Sequence, residues 1–134
     1  MPALDTNVLI RYLVQDDSRQ LTAAKRLIGR CVAEGQSLFV PVTVSLELEW
    51  VLRASFGYEK GDVLQALANL FSAAELTFES ERALEVALQL YREGSADFAD
   101  CLHIALRSET VEQALWTFDK GAAKVIGAKL LRAR

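Results

Sequence analysis

Short apolar runs alternate along this chain with longer stretches whose apolar residues recur every three or four positions. No other feature narrows the fold as far. The short runs read as strands: residues 2–5, then "SLFVPV", "ELTFES", "QALWTFD" and "AKLLRA". A buried strand needs only a few consecutive apolar residues, whereas a helix packed on one side needs a 3.6-residue period. That period marks a helix from Thr6 or Asn7, either of which can cap it, to about Val14. It returns over 20–34 in Leu21, Ala24, Leu27, Ile28, Cys31 and Val32, with Gly35 as a stop. "TVSLELEWVLRASFG" reads as a helix starting near Thr43 or Ser45 and ending at Gly57, and a further helix covers 60–73. Leu84, Ala87, Leu88 and Tyr91 mark another, stopped by Gly94. "SADFADCLHIALRSE" continues as a helix with Ser95 near its start, and a short helical turn follows Asp119. Strands that alternate with helices pair in parallel through right-handed crossovers. The expected fold is α/β: a single domain over 1–134, a three-layer α/β/α sandwich around a central, mainly parallel sheet of four to five strands.

Composition agrees with one globular domain. The chain has 134 residues, 51% of them hydrophobic and 25% charged, which is enough to bury a real core. No apolar run approaches the ~20 residues of a membrane span. The first residues do not read as a signal peptide, since they lack a basic segment and Asp5 interrupts the apolar stretch. Cys31 and Cys101 are far apart and sit in apolar helical patterns, so they read as reduced core thiols of a cytoplasmic protein. The net charge of −3 argues against a general nucleic-acid binder, unless clustered acids are neutralised by divalent cations.

The acids decide the chemistry. In an open parallel sheet, ligands sit beyond the carboxyl ends of the strands. Asp5 and Asp119 both lie at such ends, in "LDTN" and "TFD", and each follows an apolar strand. Asp100 falls in the first turns of a helix bordering the same rim, and Asp97, three residues earlier, shares its face. Glu47 stands among Val44, Leu48 and Val51 and so borders a buried stripe, while Glu49 faces elsewhere. Each acid also has an ordinary structural role open to it. Asp5 and Asp119 can cap helices, Asp97 and Asp100 can complement a helix dipole, and Glu47 can be a solvated helix residue. Four carboxylates at one rim would repel one another, and the natural counterion is Mg²⁺ or Mn²⁺, which prefers oxygen ligands. One histidine and two separated cysteines build no zinc site. Carboxylates holding such metals suit phosphodiester hydrolysis, with Thr6, Asn7 and Thr117 able to position carboxylates and waters around them.

"LDTNVLIRYL", "VSLELEWVLR", "DFADCLHIAL" and "WTFDK" follow one another in this order over nearly the whole chain. In this the sequence resembles the PIN-domain ribonucleases, most closely the VapC toxins of bacterial toxin–antitoxin pairs. The resemblance implies a PIN-like fold and a metal-dependent endoribonuclease. It implies Asp5, Glu47, Asp100 and Asp119 as catalytic and metal-binding acids, Asp97 as an accessory metal acid, and Thr6, Asn7 and Thr117 as site neighbours. It also implies an RNA substrate, a cognate antitoxin that inserts a basic side chain among the acids, and a homodimer.

Other residues have plainer expectations. Trp50, Leu52, Phe56, Val63 and Leu64 are core or a self-association surface. His103, one turn after Asp100, can be exposed or can touch RNA or metal waters. Arg11, Arg53, Lys120 and Lys124 are solvated charges or contacts for RNA phosphates. The "AKLLRAR" tail reads as an edge strand with basic gatekeepers. The main alternative is a non-catalytic PIN-like module that binds RNA or a partner. A phosphoacceptor domain fits less well, because Asp5 stands alone at the first strand end and Thr117 leads to Asp119, not to a lysine.

Overall fold

The structure is a computed structural model that describes residues 1–108 and 115–133. Gln113 and Ala114 of the expected "QALWTFD" strand, Glu109 of the expected helix before it, and Arg134 of the tail lie outside the described residues. The chain forms two compact units, Met1–Glu79 and Ser80–Arg134.

In the first unit, helices α1 (Thr6–Val14), α2 (Ser18–Ala33), α3 (Val42–Phe56) and α4 (Lys60–Phe71) accompany strands β1 (Leu38–Val40) and β2 (Leu76–Phe78). β1 and β2 pair in parallel with Leu38 opposite Leu76 and Val40 opposite Phe78. The expected strand at 2–5 is reduced to one parallel bridge, Ala3 to Phe39, held by Leu4 N–H to the Phe39 carbonyl at 2.9 Å and Phe39 N–H to the Pro2 carbonyl at 2.8 Å. Pairing ends there because the chain turns at Asp5 to start α1. That helix is capped by Asp5 itself, whose carboxylate accepts from Thr6 N–H at 2.7 Å, and not by Thr6 or Asn7.

The other helix ends are equally local in origin. Asp17 accepts from Arg19 and Gln20 N–H, both at 3.1 Å, and opens α2 two residues before the expected start. α3 begins at Val42, directly after Pro41, whose φ of −59° is already set for a helix start. It ends at Gly57, which takes a left-handed φ of +66° that other residues adopt only with strain. Glu59 and Asp62 form a capping box at the start of α4. The core joins these elements: Leu4, Leu9 and Ile10 from the first segment, Leu38 and Val40 from β1, Leu48 and Leu52 from α3, and Val63 and Leu67 from α4 are all buried. α3 packs against both α1 and α4.

In the second unit, α5 (Glu81–Glu93) packs along α6 (Phe98–Ser108), and Tyr91 meets Phe98 edge to face at 5.5 Å. α6 starts three residues later than Ser95. Strand β3 (Leu115–Thr117) is followed by a 3-10 turn (Ala122–Lys124) and strand β4 (Ala128–Leu130). β3 and β4 are parallel, with Trp116 opposite Lys129. The α/β class and parallel pairing implied by the alternating sequence are therefore present. The described strands are short and pair as two parallel couples, one in each unit. Cys31 and Cys101 are buried free thiols, as read from their patterns.

Candidate active site

The first set of candidate residues is assembled by α1 and α3. Asp5 follows buried Leu4 at the point where the bridge to Phe39 ends, so its carboxylate is fixed at the helix start. Glu47 comes from the second turn of α3, the helix that packs on α1. Asp5, Thr6, Asn7 and Glu47 line one cavity of about 320 Å³, together with Arg11 and Ser55. Thr6 is buried, yet its hydroxyl has no hydrogen-bond partner among the described residues. It is an unsatisfied buried polar group on a residue that lines the same cavity as the two acids.

α3 also separates its two glutamates sharply. Glu47 is exposed and does not border the buried stripe as its apolar neighbours suggested. Glu49 is the buried one, at 2% exposure, and its carboxylate accepts from the Arg53 guanidinium one turn on. Burial of a charge is tolerated when it is paired and hydrogen-bonded. The spacing of four between Glu49 and Arg53 is the sequence signal for that pair. Sequence patterning does not single out Ser55, although it lies four residues from Val51 and eight from Glu47, on the same stripe of α3 that faces the cavity.

The second set lies on α6 and the segment after β3. Asp100 is in the first turn of α6, while Asp97 precedes the helix, its carbonyl accepting from Cys101 N–H at 3.0 Å. Asp97 is thus at the entry of the helix, three residues before Asp100 and within its electrostatic reach. Burial pushes the Asp100 carboxyl above its ordinary value of 3.8, the charges of Asp119 and Asp97 push it further, and His103 pulls it back. The three acids and His103 therefore share one electrostatic neighbourhood. His103 itself is exposed.

Asp119 lies two residues beyond β3. One of its oxygens accepts from Gly121 N–H at 2.7 Å and Ala122 N–H at 3.1 Å, so it also caps the 3-10 turn. A Cβ at Gly121 would stand 3.2 Å from that oxygen, which favours glycine there. The Thr117 hydroxyl accepts from the backbone N–H of Asp119 at 3.0 Å and so fixes the turn that carries the acid.

The remaining candidates have these surroundings. Arg11 pairs with Asp16, Arg53 with Glu49, and Lys120 and Lys124 are exposed. Leu52 and Val63 are core, Leu64 and Phe56 are half-buried, and Trp50 is exposed. Among the described residues no three His, Cys, Asp or Glu side chains are gathered as a metal-binding group. By donor chemistry the two sets still suit a hard divalent cation: carboxylate and hydroxyl oxygens, with neither thiolate nor imidazole clusters.

Comparison with known proteins bears on the same residues. The sequence matches the PIN domain family over residues 3–127, a span that includes every acid named above. It is 26% identical over 102 residues to the VapC ribonuclease of Aquifex aeolicus (strain VF5), covering 76% of this chain and 75% of that protein. Acids at the ends of parallel-strand segments, carried on a chain matched over almost its full length, leave one assignment: this chain belongs to the PIN domain family.

Proposed function

We propose that the protein is a VapC-type endoribonuclease that hydrolyses RNA phosphodiester bonds with Mg²⁺ or Mn²⁺, and that it is the toxin of a toxin–antitoxin pair. The observation that carries this reading is the presence of Asp5 and Glu47 on the wall of one cavity, beside an unpartnered buried hydroxyl, in a chain with the PIN match. The similarity to a VapC ribonuclease supplies the substrate class. Because the family match runs from residue 3 to residue 127, both units are read as one PIN-like domain acting in one reaction.

In this reading Asp5, Glu47, Asp100 and Asp119 are the metal-holding and catalytic acids, with Asp97 as an accessory metal acid. When bound, a divalent ion supplies Lewis-acid stabilisation of the charge that builds on the phosphoryl oxygens. The raised proton affinity of Asp100 supports a cation there, since mutual repulsion with Asp119 and Asp97 is the kind a cation relieves. Thr6 and Asn7 orient groups in the first-unit cavity, and Thr117 fixes the backbone of Asp119. The partners are RNA, a cognate antitoxin and a second copy of the chain, in the cytoplasm. No helix among the described residues is long and apolar enough to cross a membrane.

The test is cleavage of total RNA by the purified protein with Mn²⁺, stopped by a chelator. Asp5→Ala and Asp100→Ala are expected to keep the far-ultraviolet circular dichroism of the wild type and lose cleavage. Undiminished cleavage by either variant overturns the assignment of that acid. RNA binding without cleavage under any divalent ion supports the non-catalytic alternative.

A further inference from the structure

Arg11 occupies a position that the acid chemistry leaves unused. It sits on α1 four residues after Asn7, so the two side chains share a helix face. Both line the cavity that holds Asp5 and Glu47, and both also line a second cavity of about 490 Å³ against Gln20, Ala24 and Leu27 of α2. Arg11 is the one Lys or Arg among the described residues lining either cavity. Its Nη1 donates to Asp16, just past the left-handed Gln15 that ends α1. Its Nε is shut off from solvent and has no hydrogen-bond partner among the described residues.

A guanidinium is a planar fork with donors on more than one edge. Asp16 engages one edge and leaves Nε unmatched. Two carboxylates on a cavity wall repel a polyanion, and a fixed cation on the same wall offsets that repulsion. A phosphate diester carries the charge and the paired oxygens that a guanidinium fork binds, and on this cavity wall it competes with Asp16 for the exposed part of the side chain. We propose that Arg11 is a substrate-binding residue that holds an RNA phosphate in the cavity of Asp5 and Glu47, with Asp16 as the competing anion that holds the guanidinium in place before RNA arrives. This rests on the ribonuclease reading and adds to it the side chain that grips the backbone.

The experiment is fluorescence-anisotropy titration of a labelled single-stranded oligouridylate with the full-length protein in EDTA, over a range of salt, beside steady-state cleavage with Mn²⁺. Arg11→Ala is expected to weaken binding by about tenfold and to lower the salt slope by about one. In cleavage it raises KM far more than it lowers kcat. Arg11→Lys keeps the charge and loses the fork, so it restores the salt slope while affinity stays several-fold below wild type. Asp16→Asn removes the competing anion and tightens binding several-fold.

Unchanged affinity and salt slope in Arg11→Ala overturn the proposal, as does equal binding by Arg11→Lys and wild type. If Arg11→Ala does not fold, Arg11→Lys and Asp16→Asn decide the matter by the same readings. A wild type that cleaves RNA while these variants match it removes the role of Arg11 alone. A wild type that binds RNA through Arg11 and never cleaves removes the ribonuclease reading and leaves Arg11 as an RNA contact. A wild type that binds no RNA overturns the role of Arg11.

Discussion

Asp100 is a carboxyl whose ionisation the fold resists, first through burial and then through Asp119 and Asp97. Since its folded value lies above 3.8, its contribution to stability is whole below the unfolded value, where the group is protonated in both states. That contribution is lost as pH rises through the folded value. Asp100→Asn cannot ionise, so it should raise the unfolding temperature of the metal-free protein at neutral pH while losing cleavage. The gain should close as the pH falls below the unfolded value. Thermal melts in EDTA at stepped pH check this, and a lowered midpoint at neutral pH contradicts it. The two glutamates of α3 make a second contrast at this scale. Glu47 is exposed on the cavity, so Glu47→Gln should cost little stability and reduce cleavage by ~10–100-fold or more. Glu49 is buried against Arg53, so Glu49→Gln should cost about 1–3 kcal/mol and leave cleavage per folded molecule near wild type. Urea denaturation and cleavage rates on the same preparations separate them, and the reverse pattern would exchange their roles.

At the scale of elements, the start of α1 serves two ends with one residue. Asp5 caps the helix and carries a cavity carboxylate. Asparagine caps about as well as aspartate but has no charge, whereas alanine has neither the cap nor the charge. Asp5→Asn should therefore stay within about 0.5 kcal/mol of wild type and Asp5→Ala should lose about 1 kcal/mol, with cleavage lost in both. Equal stability of the two variants in urea would remove the cap from the account. The other elements follow the same local logic: Asp17 opens α2, Pro41 precedes α3 and Gly57 closes it, and these ends are written in the residues beside them. Leu52, wholly buried on α3 between α1 and α4, should cost about 2–5 kcal/mol as Leu52→Ala, measured by urea denaturation. A loss under 1 kcal/mol would mean that the site collapses around the deletion or that the leucine packs less tightly than its burial indicates.

At the scale of the whole molecule, the repulsion that Asp119 and Asp97 exert on Asp100 is a cost that a bound cation would release. Mn²⁺ should raise the unfolding temperature of the wild type, a chelator should reverse the rise, and Asp5→Ala or Asp100→Ala should blunt it. An equal rise in the wild type and in both variants would show that the ion binds elsewhere. The alternation of short apolar runs with 3.6-residue patterns was sufficient for the α/β class, the parallel pairing and the helices, because side-chain period and helix caps are local properties. The four motifs were likewise sufficient for the family, since their order is a property of the chain alone. Local pattern misjudged what depends on neighbours far along the chain. It drew a full strand at residues 2–5, where pairing with Phe39 lasts for one bridge. It set Glu47 beside the buried stripe, whereas packing of α3 between α1 and α4 buries Glu49. "LDTN" by itself determined that a capping acid follows a buried leucine. Only the tertiary structure decided that the cavity beside Asp5 also receives Glu47 and Arg11, and that Asp119 comes within electrostatic reach of Asp100. The physical reason is that burial and charge coupling depend on distance in space, which the chain settles only when its helices pack.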